Sequence, residues 1–199
     1  MSELFSIQLQ NRQQQGRDGV WLDLPTTTEQ VQAALRQIGI SSDNPQGLFI
    51  SGYFAEEEKR FAISYNMVLA SNVDELNFLA SRLETLSTGE RAELNAALQA
   101  PQSELFSIGR ITDFPENVDY YVHLPDVHGP AQLGDYYLNR SGMVDMPEEW
   151  KGGIDTAQFG RYVTQQEQGA FTQYGYLVKS GDEWQKVYEG QPVPEEYRV

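Results

Sequence analysis

The chain has 199 residues, of which 29 are acidic and 14 basic, so its formal net charge is −15 at pH 7. A folded surface of this charge repels nucleic acid and anionic membranes, and the scattered Lys and Arg side chains exclude the basic patch that DNA binding requires. The chain has no cysteine, which excludes disulfide bonds and thiolate zinc sites, while 40% hydrophobic and 12% aromatic residues exclude intrinsic disorder.

The first predicted elements are a strand and a helix. Residues Gly19–Leu24 alternate between core-type and other side chains, which predicts a strand that ends at Pro25. Thr26 and Glu29 have the spacing of a capping box at the start of a helix. Apolar residues then recur at helical spacing until Gly39, which stands where a C-cap glycine belongs.

Two further strands are predicted before residue 71. Gly47–Phe54 and Phe61–Tyr65 are rich in β-forming residues, and the charged stretch Ala55–Arg60 connects them. Strand, helix, strand and strand together make a small α+β domain. We place this domain at residues 1–70, which carry a net charge of −3.

A helical pattern follows at residues 71–113, which carry a net charge of −4. Asn72 and Glu75 can cap a first helix, whose apolar face is rich in Leu. Ser87 and Glu90 form a second capping box, which opens another amphipathic helix. Because only a tight turn joins the two helices, the segment predicts an antiparallel helical hairpin as a middle domain.

The remaining residues, 114–199, mix strand and helix signals and carry a net charge of −8. In chain order, we predict a strand at Val118–Leu124, a helix at Ala131–Arg140, a helical turn at Pro147–Trp150, a helix from Asp155 to Gln165, a β-hairpin of Ala170–Lys179 with Glu183–Tyr188, and an irregular tail from Gln191. Gly160 weakens the second helix by roughly 1 kcal/mol relative to Ala. The predicted fold is α+β, an elongated chain of three small units with a C-terminal extension on the third.

Candidate catalytic and metal-binding residues form no recognisable constellation. His123 and His128 lie in a proline-containing loop without helical register, so we interpret them as a solvated pair rather than metal ligands. Glu148 and Glu149 are neighbours, whereas a glycosidase needs two acids that face each other from separate elements. The sequence lacks Gly-x-Ser-x-Gly, Gly-x-Gly-x-x-Gly and the phosphate-binding loop. We therefore predict a protein that is not an enzyme and uses no cofactor or metal.

The sequence also carries no signal for export or membrane insertion. Its N-terminus lacks a basic region followed by an apolar one, and no apolar run approaches the ~18 residues of a membrane span. These observations predict a cytoplasmic protein whose partners include neither nucleic acid nor membrane.

A set of short motifs occurs in order between residues 117 and 178. The set consists of Asn117–Tyr121, Leu133–Tyr137, Ser141-Gly142, Met146-Pro147, Trp150, Gly153–Asp155, Phe159–Arg161 and Phe171–Tyr176. With these motifs the chain resembles the ArdA antirestriction family. Upstream, Gly19–Pro25 with the helix that follows is similar to the family's N-terminal unit, and Glu75–Asn77 with Leu79 is similar to the start of its middle helical unit.

Two features depart from the family's pattern. The stretch that reads Tyr-Gly-Arg-Asp in the family is Phe159–Tyr162 here, so the acid after the arginine is missing. The chain also continues to Val199, well past the last motif at Tyr176.

The resemblance implies an antirestriction protein of the kind carried by mobile genetic elements. Members of the family are elongated acidic homodimers that imitate bent B-form DNA and occupy the DNA groove of type I restriction–modification enzymes. It therefore implies a homodimer whose partner is such an enzyme. The acids that would stand for phosphates are Glu84, Glu90, Glu93, Asp119, Asp126, Asp135, Asp145, Glu148, Glu149, Asp155 and Glu167.

Two other functions stay open on the residues alone. A protein–protein interaction module without mimicry would bind through exposed aromatic residues such as Tyr137 and Trp150. A hydrolase would need two carboxylates that converge in a deep pocket. Asp155 also has a purely local explanation, because an acid at this position can cap the following helix.

Overall fold

The structure is a computed structural model that describes residues 3–14, 18–41 and 46–199. The fold is α+β, as the sequence predicts. The chain divides into two compact units, and neither is continuous in sequence. Unit 1 consists of Met1–Ser87, Leu105–Glu116 and Gln185–Val199, and unit 2 of Thr88–Glu104 and Asn117–Trp184. The domain boundaries predicted after residues 70 and 113 stay a prediction.

Unit 1 contains a three-stranded antiparallel sheet in the order β2-β1-β3. The strands are β1 (Phe5–Asn11), β2 (Val20–Leu24) and β3 (Leu48–Phe54), so the two strands predicted here are confirmed and the central one was missed. Strand β1 alternates buried and half-buried residues, which places Ile7 and Leu9 in the core.

Helix α1 (Thr28–Gln37) follows β2 and ends before Gly39, whose φ is +71°. The predicted capping box is wrong by one residue, because Thr27 and Gln30 form it instead of Thr26 and Glu29. Thr26, the residue before the N-cap, is buried, and its backbone N–H donates to Oδ1 of Asn77 over 2.8 Å. This long-range contact, which the local sequence does not reveal, moves the start of the helix.

Three further helices belong to unit 1, together with the end of the sequence. They are α2 (Tyr65–Leu69), α3 (Val73–Glu84) and α5 (Ile108–Asp113), and 3₁₀ turns occur at Glu57–Lys59, Phe114–Glu116 and Glu195–Tyr197. The cap predicted at Asn72 is confirmed, since its side chain accepts the N–H of Glu75 over 2.9 Å.

The strand predicted at Phe61–Tyr65 is wrong. Residues 61–64 form no ladder, and Tyr65 begins α2. Phe61 and Ile63 are nevertheless both buried. Alternate burial therefore gave this segment the period-two pattern of a strand without any strand partner.

Unit 2 contains a second three-stranded antiparallel sheet in the order β4-β6-β5, which packs against helix α4 (Thr88–Gln99). The strands are β4 (Tyr121–Leu124), β5 (Ala170–Thr172) and β6 (Gly175–Lys179). The strand predicted at Val118–Leu124 is therefore confirmed in its second half only, because its first residues form a 3₁₀ turn.

The predicted hairpin of Ala170–Lys179 with Glu183–Tyr188 is wrong. The hairpin lies within Ala170–Lys179 and turns at residues 173 and 174, and 183–188 contains no strand. Gly175 explains the position of the turn, because its φ is +117° and a Cβ there would lie 2.4 Å from the carbonyl oxygen of Leu124.

Three helices complete unit 2 and confirm the predicted helical segments. Helix α6 (Pro130–Asp135) continues as a π-helical turn at Tyr136–Arg140, and α7 (Glu148–Lys151) and α8 (Thr156–Glu167) follow. Asp155 caps α8 by accepting the N–H of Gln158 over 2.9 Å. None of the helices described in either unit is long and apolar enough to cross a membrane.

Helices α6 and α8 cross with their backbones in contact. A Cβ at Gly160 would lie 1.8 Å from the carbonyl oxygen of Pro130, and one at Gly134 would lie 1.9 Å from that of Thr156. The glycine that weakens α8 in the sequence is thus what allows the crossing. Beneath it, Leu133 and Tyr176 are fully buried and form a small core with Val127.

Candidate functional site

Acidic residues outnumber basic ones in both units, and the excess is denser in unit 2. Unit 2, the smaller unit, has 13 acidic and 5 basic residues, a net charge of −8. Unit 1 has 16 and 9, a net charge of −7. Ten of the eleven acids predicted as phosphate mimics belong to unit 2, and Glu84, in α3, belongs to unit 1.

Six of these acids have exposed side chains, which we call the exposed acids of unit 2. They are Asp119, Asp126, Asp145, Glu148, Glu149 and Asp155. Asp126 lies in the turn after β4, Asp145 in the irregular segment before α7, and Glu149 in the first turn of α7. The structure gives these three carboxylates neither a hydrogen bond nor an ion pair within the described residues. They are therefore available to a partner.

Other predicted acids have local partners. Glu148 pairs with Lys151 over 2.7 Å on α7, and Asp135 pairs with Arg140 over 3.3 Å. Asp155 holds the N-terminus of α8, as described above. The Asp135–Arg140 pair is exposed on both sides, and because such pairs are worth little in water, another cation can replace Arg140 at small cost.

Glu167 lies at the end of α8, half-buried against the core of unit 2. One carboxylate oxygen accepts the hydroxyl of Tyr137 over 2.5 Å, and the other accepts the hydroxyl of Tyr176 over 3.1 Å. Burial and the neighbouring Glu167 carboxylate raise the pKa of both tyrosines far above its ordinary value. Glu167 thus holds two aromatic residues in place.

Three acids converge where α4 meets the 3₁₀ turn Val118–Tyr120. Burial, together with the charges of Glu90 and Asp119, raises the pKa of Glu93 to about 8. One carboxylate oxygen of Glu93 is buried without a hydrogen-bond partner in the described structure. Glu93 is therefore mostly protonated at pH 7 and adds little to the negative charge.

Several basic side chains of unit 2 are already neutralised. Lys179 bonds Glu104 over 2.6 Å, which raises the pKa of Lys179, and Lys151 and Arg140 are held in the two ion pairs given above. Lys179 and Arg140 pair with acids outside the exposed acids of unit 2, and Glu148 is the member of that set that has a paired base.

Exposed apolar side chains also occur in unit 2. Met143 is 75% exposed, Trp150 is 68% exposed and Tyr162 is 59% exposed. Trp150 lies in α7 beside Glu148 and Glu149. Tyr137, which the sequence also offered as a binding aromatic, is instead held by Glu167. The sequence missed Met143 as an exposed residue because it lies in an irregular segment with no periodicity.

The interpretation of the two histidines as a solvated pair in a loop is wrong for His123, which is half-buried in strand β4. Nε2 of His123 lies 2.7 Å from the carbonyl oxygen of Tyr174, beside the β5–β6 turn, whereas His128 is exposed. Within residues 3–14, 18–41 and 46–199, no group of three or more His, Asp or Glu side chains is arranged to hold a metal ion.

Comparison with protein families gives a match over most of the chain. A family model described as "Antirestriction protein (ArdA)" matches residues 15–178, which is most of the chain. No curated protein matches the chain. All eleven predicted acids lie inside the matched range, and residues 179–199 lie outside it.

Proposed function

We propose, because the chain belongs to the antirestriction protein (ArdA) family, that it inhibits type I restriction–modification enzymes by occupying their DNA groove as a protein mimic of DNA. The family is one of inhibitor proteins, so the chain is an antirestriction protein. The mimicry, the class of enzyme and the contact residues are the proposed part.

The observation that carries the proposal is the set of exposed acids of unit 2. Asp126, Asp145 and Glu149 lie on the surface with no cation beside them. Proteins that grip B-DNA place Lys and Arg against its phosphates, which follow one another at about 1.7 Å of helix axis per charge. Exposed carboxylates can take the same cations.

Bases are not needed for this competition. Phosphate contacts supply a large, sequence-independent part of the affinity of a DNA-binding groove. A protein that satisfies those contacts alone therefore blocks an enzyme whatever its recognition sequence. A homodimer would double the net charge to about −30 and provide the twofold symmetry of a bipartite DNA site.

The test is competition with DNA for a purified type I restriction–modification enzyme. In a direct binding titration, we also expect the affinity of the protein for the enzyme to weaken steeply between about 50 and about 200 mM salt, as the affinity of DNA-binding proteins for DNA does. The triple variant Asp126→Asn, Asp145→Asn, Glu149→Gln should inhibit about tenfold less well, since each exposed pair contributes about 0.5 kcal/mol. Its salt dependence should also be shallower.

The matched control removes the same charge elsewhere. Glu58, Glu195 and Glu196 are exposed acids of unit 1, and the triple variant Glu58→Gln, Glu195→Gln, Glu196→Gln should inhibit like the unmodified protein. Equal loss in both triple variants would assign the effect to net charge alone. Direct binding to the enzyme that does not depend on salt would contradict mimicry.

A second candidate, an interaction module without mimicry, has its own observation. Trp150 and Met143 expose apolar surface that a protein partner could cover. This candidate predicts that Trp150→Ala abolishes binding while Glu148→Gln with Glu149→Gln leaves binding unchanged. Mimicry predicts instead that the double variant Glu148→Gln, Glu149→Gln weakens binding more than Trp150→Ala does.

A further inference from the structure

The last residues of the chain, Gln185–Val199, fold onto helices α3 and α5 within unit 1. We call them the C-terminal segment. It lies outside the range that the family model matches, which ends at residue 178. Its only regular structure is the 3₁₀ turn Glu195–Tyr197, and no ladder joins it to a strand. Its position therefore depends on specific contacts.

The central contact is a buried carboxylate that grips the main chain of the segment. Asp113, at the end of α5, is fully buried. One of its carboxylate oxygens accepts the N–H of Tyr188 over 2.6 Å, and the other accepts the N–H of Glu189 over 3.2 Å. Gly109 on the same helix provides room, because a Cβ there would lie only 3.3 Å from Cα of Glu189. Such charge-assisted bonds are the strong class of hydrogen bond.

The side chains of Tyr188 and Glu189 also contact helices α3 and α5. Glu189 pairs with Nε of Arg110 over 3.2 Å, and both side chains are largely buried. The ring of Tyr188 meets Phe78 edge-on at 5.0 Å and lies 5.1 Å from the guanidinium of Arg82. Main-chain clamping with pockets for adjacent side chains is how proteins bind extended peptides.

Part of the segment borders an open cleft. The cleft has a volume of about 410 Å³ and is lined by Phe78, Ile108, Thr112 and residues 188–193 among others. Because solvent reaches this side of the segment, releasing it exposes less buried surface than releasing a core element would, while the clamp at Asp113 keeps its position specific.

We propose that the surface formed by α3 and α5 is a peptide-binding site, and that the C-terminal segment is a separable ligand of it. A second copy of the same peptide, supplied in trans, takes the place of the covalently attached one. Asp113 and Arg110 recognise the Tyr188-Glu189 step, and Phe78 receives the aromatic ring.

The experiment begins with the full chain. A protease site is inserted between Gly181 and Asp182, which are both exposed, so that Gly181 itself stays in place with its φ of +101°. After cleavage we expect the far-UV circular dichroism to stay native. A fluorescent synthetic peptide of residues 185–199 should then bind the cut protein saturably in an anisotropy titration and displace the original segment. The uncut protein should bind it far more weakly.

Variants of the peptide keep folding of the protein out of the measurement. Tyr188→Ala in the peptide removes the ring contact with Phe78, and Glu189→Gln removes the ion pair with Arg110. Each substitution should weaken binding about tenfold or more. Glu195→Gln is the matched control, since Glu195 is exposed and its side chain makes neither a hydrogen bond nor an ion pair within the described residues. Loss of native structure on cleavage, or equal binding of all three peptides, would overturn the proposal.

Discussion

The two units carry almost the same net charge, −7 and −8, yet they place their acids differently. In unit 1, Asp113 is buried and Glu116 and Glu189 pair with arginines, so acids hold the fold together. In unit 2, Asp126, Asp145 and Glu149 face solvent without partners. The comparison shows that net charge alone does not distinguish acids that hold a fold together from acids that stay exposed to solvent.

The largest effect on the free energy of unfolding should come from Gly160, where helices α6 and α8 of unit 2 cross. Gly160→Ala should lower the free energy of unfolding by about 3 kcal/mol, because its Cβ would overlap the backbone of Pro130 and separate α6 from α8. Gly89→Ala in α4 is the control, since a Cβ there meets nothing and should stabilise by up to ~1 kcal/mol. Urea unfolding of both variants measures the difference.

A smaller effect should separate a scaffold acid from a surface acid. Asp113→Asn should lower the free energy of unfolding by about 2 kcal/mol, because the neutral amide has one acceptor oxygen, so one of the two main-chain N–H groups loses its acceptor and faces an NH2 group. Asp126→Asn removes the same charge from an exposed, unpartnered position and should change stability by less than about 0.5 kcal/mol. Similar values for both would mean that the units use their acids alike.

The smallest stability effect should depend on pH and concerns Glu93. Its pKa is raised from 4.5 to about 8 in the folded state, so the folded protein binds more protons than the unfolded chain between these values. Stability due to this group is therefore lost as the pH rises from about 4.5 to about 8. Glu93→Gln should remove that dependence and stabilise the protein at pH 9 by on the order of 1 kcal/mol, after allowing for partial solvation of the carboxyl.

Thermal unfolding of Glu93→Gln and the unmodified protein at several pH values makes this measurement. The difference between them should grow with pH and level off above about 8. A constant difference would show that Glu93 is ionised at neutral pH and belongs with the exposed acids of unit 2.

Local signals in the sequence predicted much of the fold correctly. The caps at Asn72 and Asp155 and the helix stop at Gly39 act through neighbours a few residues away, so the sequence contains all of their cause. The environment of an acid is different. Burial and the charges of Glu90 and Asp119 raise the pKa of Glu93, and Glu167 accepts a hydrogen bond from Tyr137. Because Asp119 and Tyr137 are distant in sequence from these two acids, no local pattern reveals the contacts.

One hexapeptide makes the same limit plain. Ser-Glu-Leu-Phe-Ser-Ile occurs at residues 2–7, of which Ser2 lies outside the described residues, and again at 103–108. In the first copy Phe5 is buried in β1, whereas in the second Phe106 is 65% exposed and Ser107 caps α5. The letters are identical, so the surrounding chain decides between strand and helix.

The clamp at Asp113 has a consequence for how the protein is made. Its partner Tyr188 follows 75 residues later in the sequence. A ribosome that adds about 5–20 residues per second delivers that partner on the order of 4–15 s after Asp113. All of unit 2 is therefore synthesised before the last part of unit 1, Gln185–Val199. We therefore expect the first unit to begin to emerge also to be the last to complete its structure.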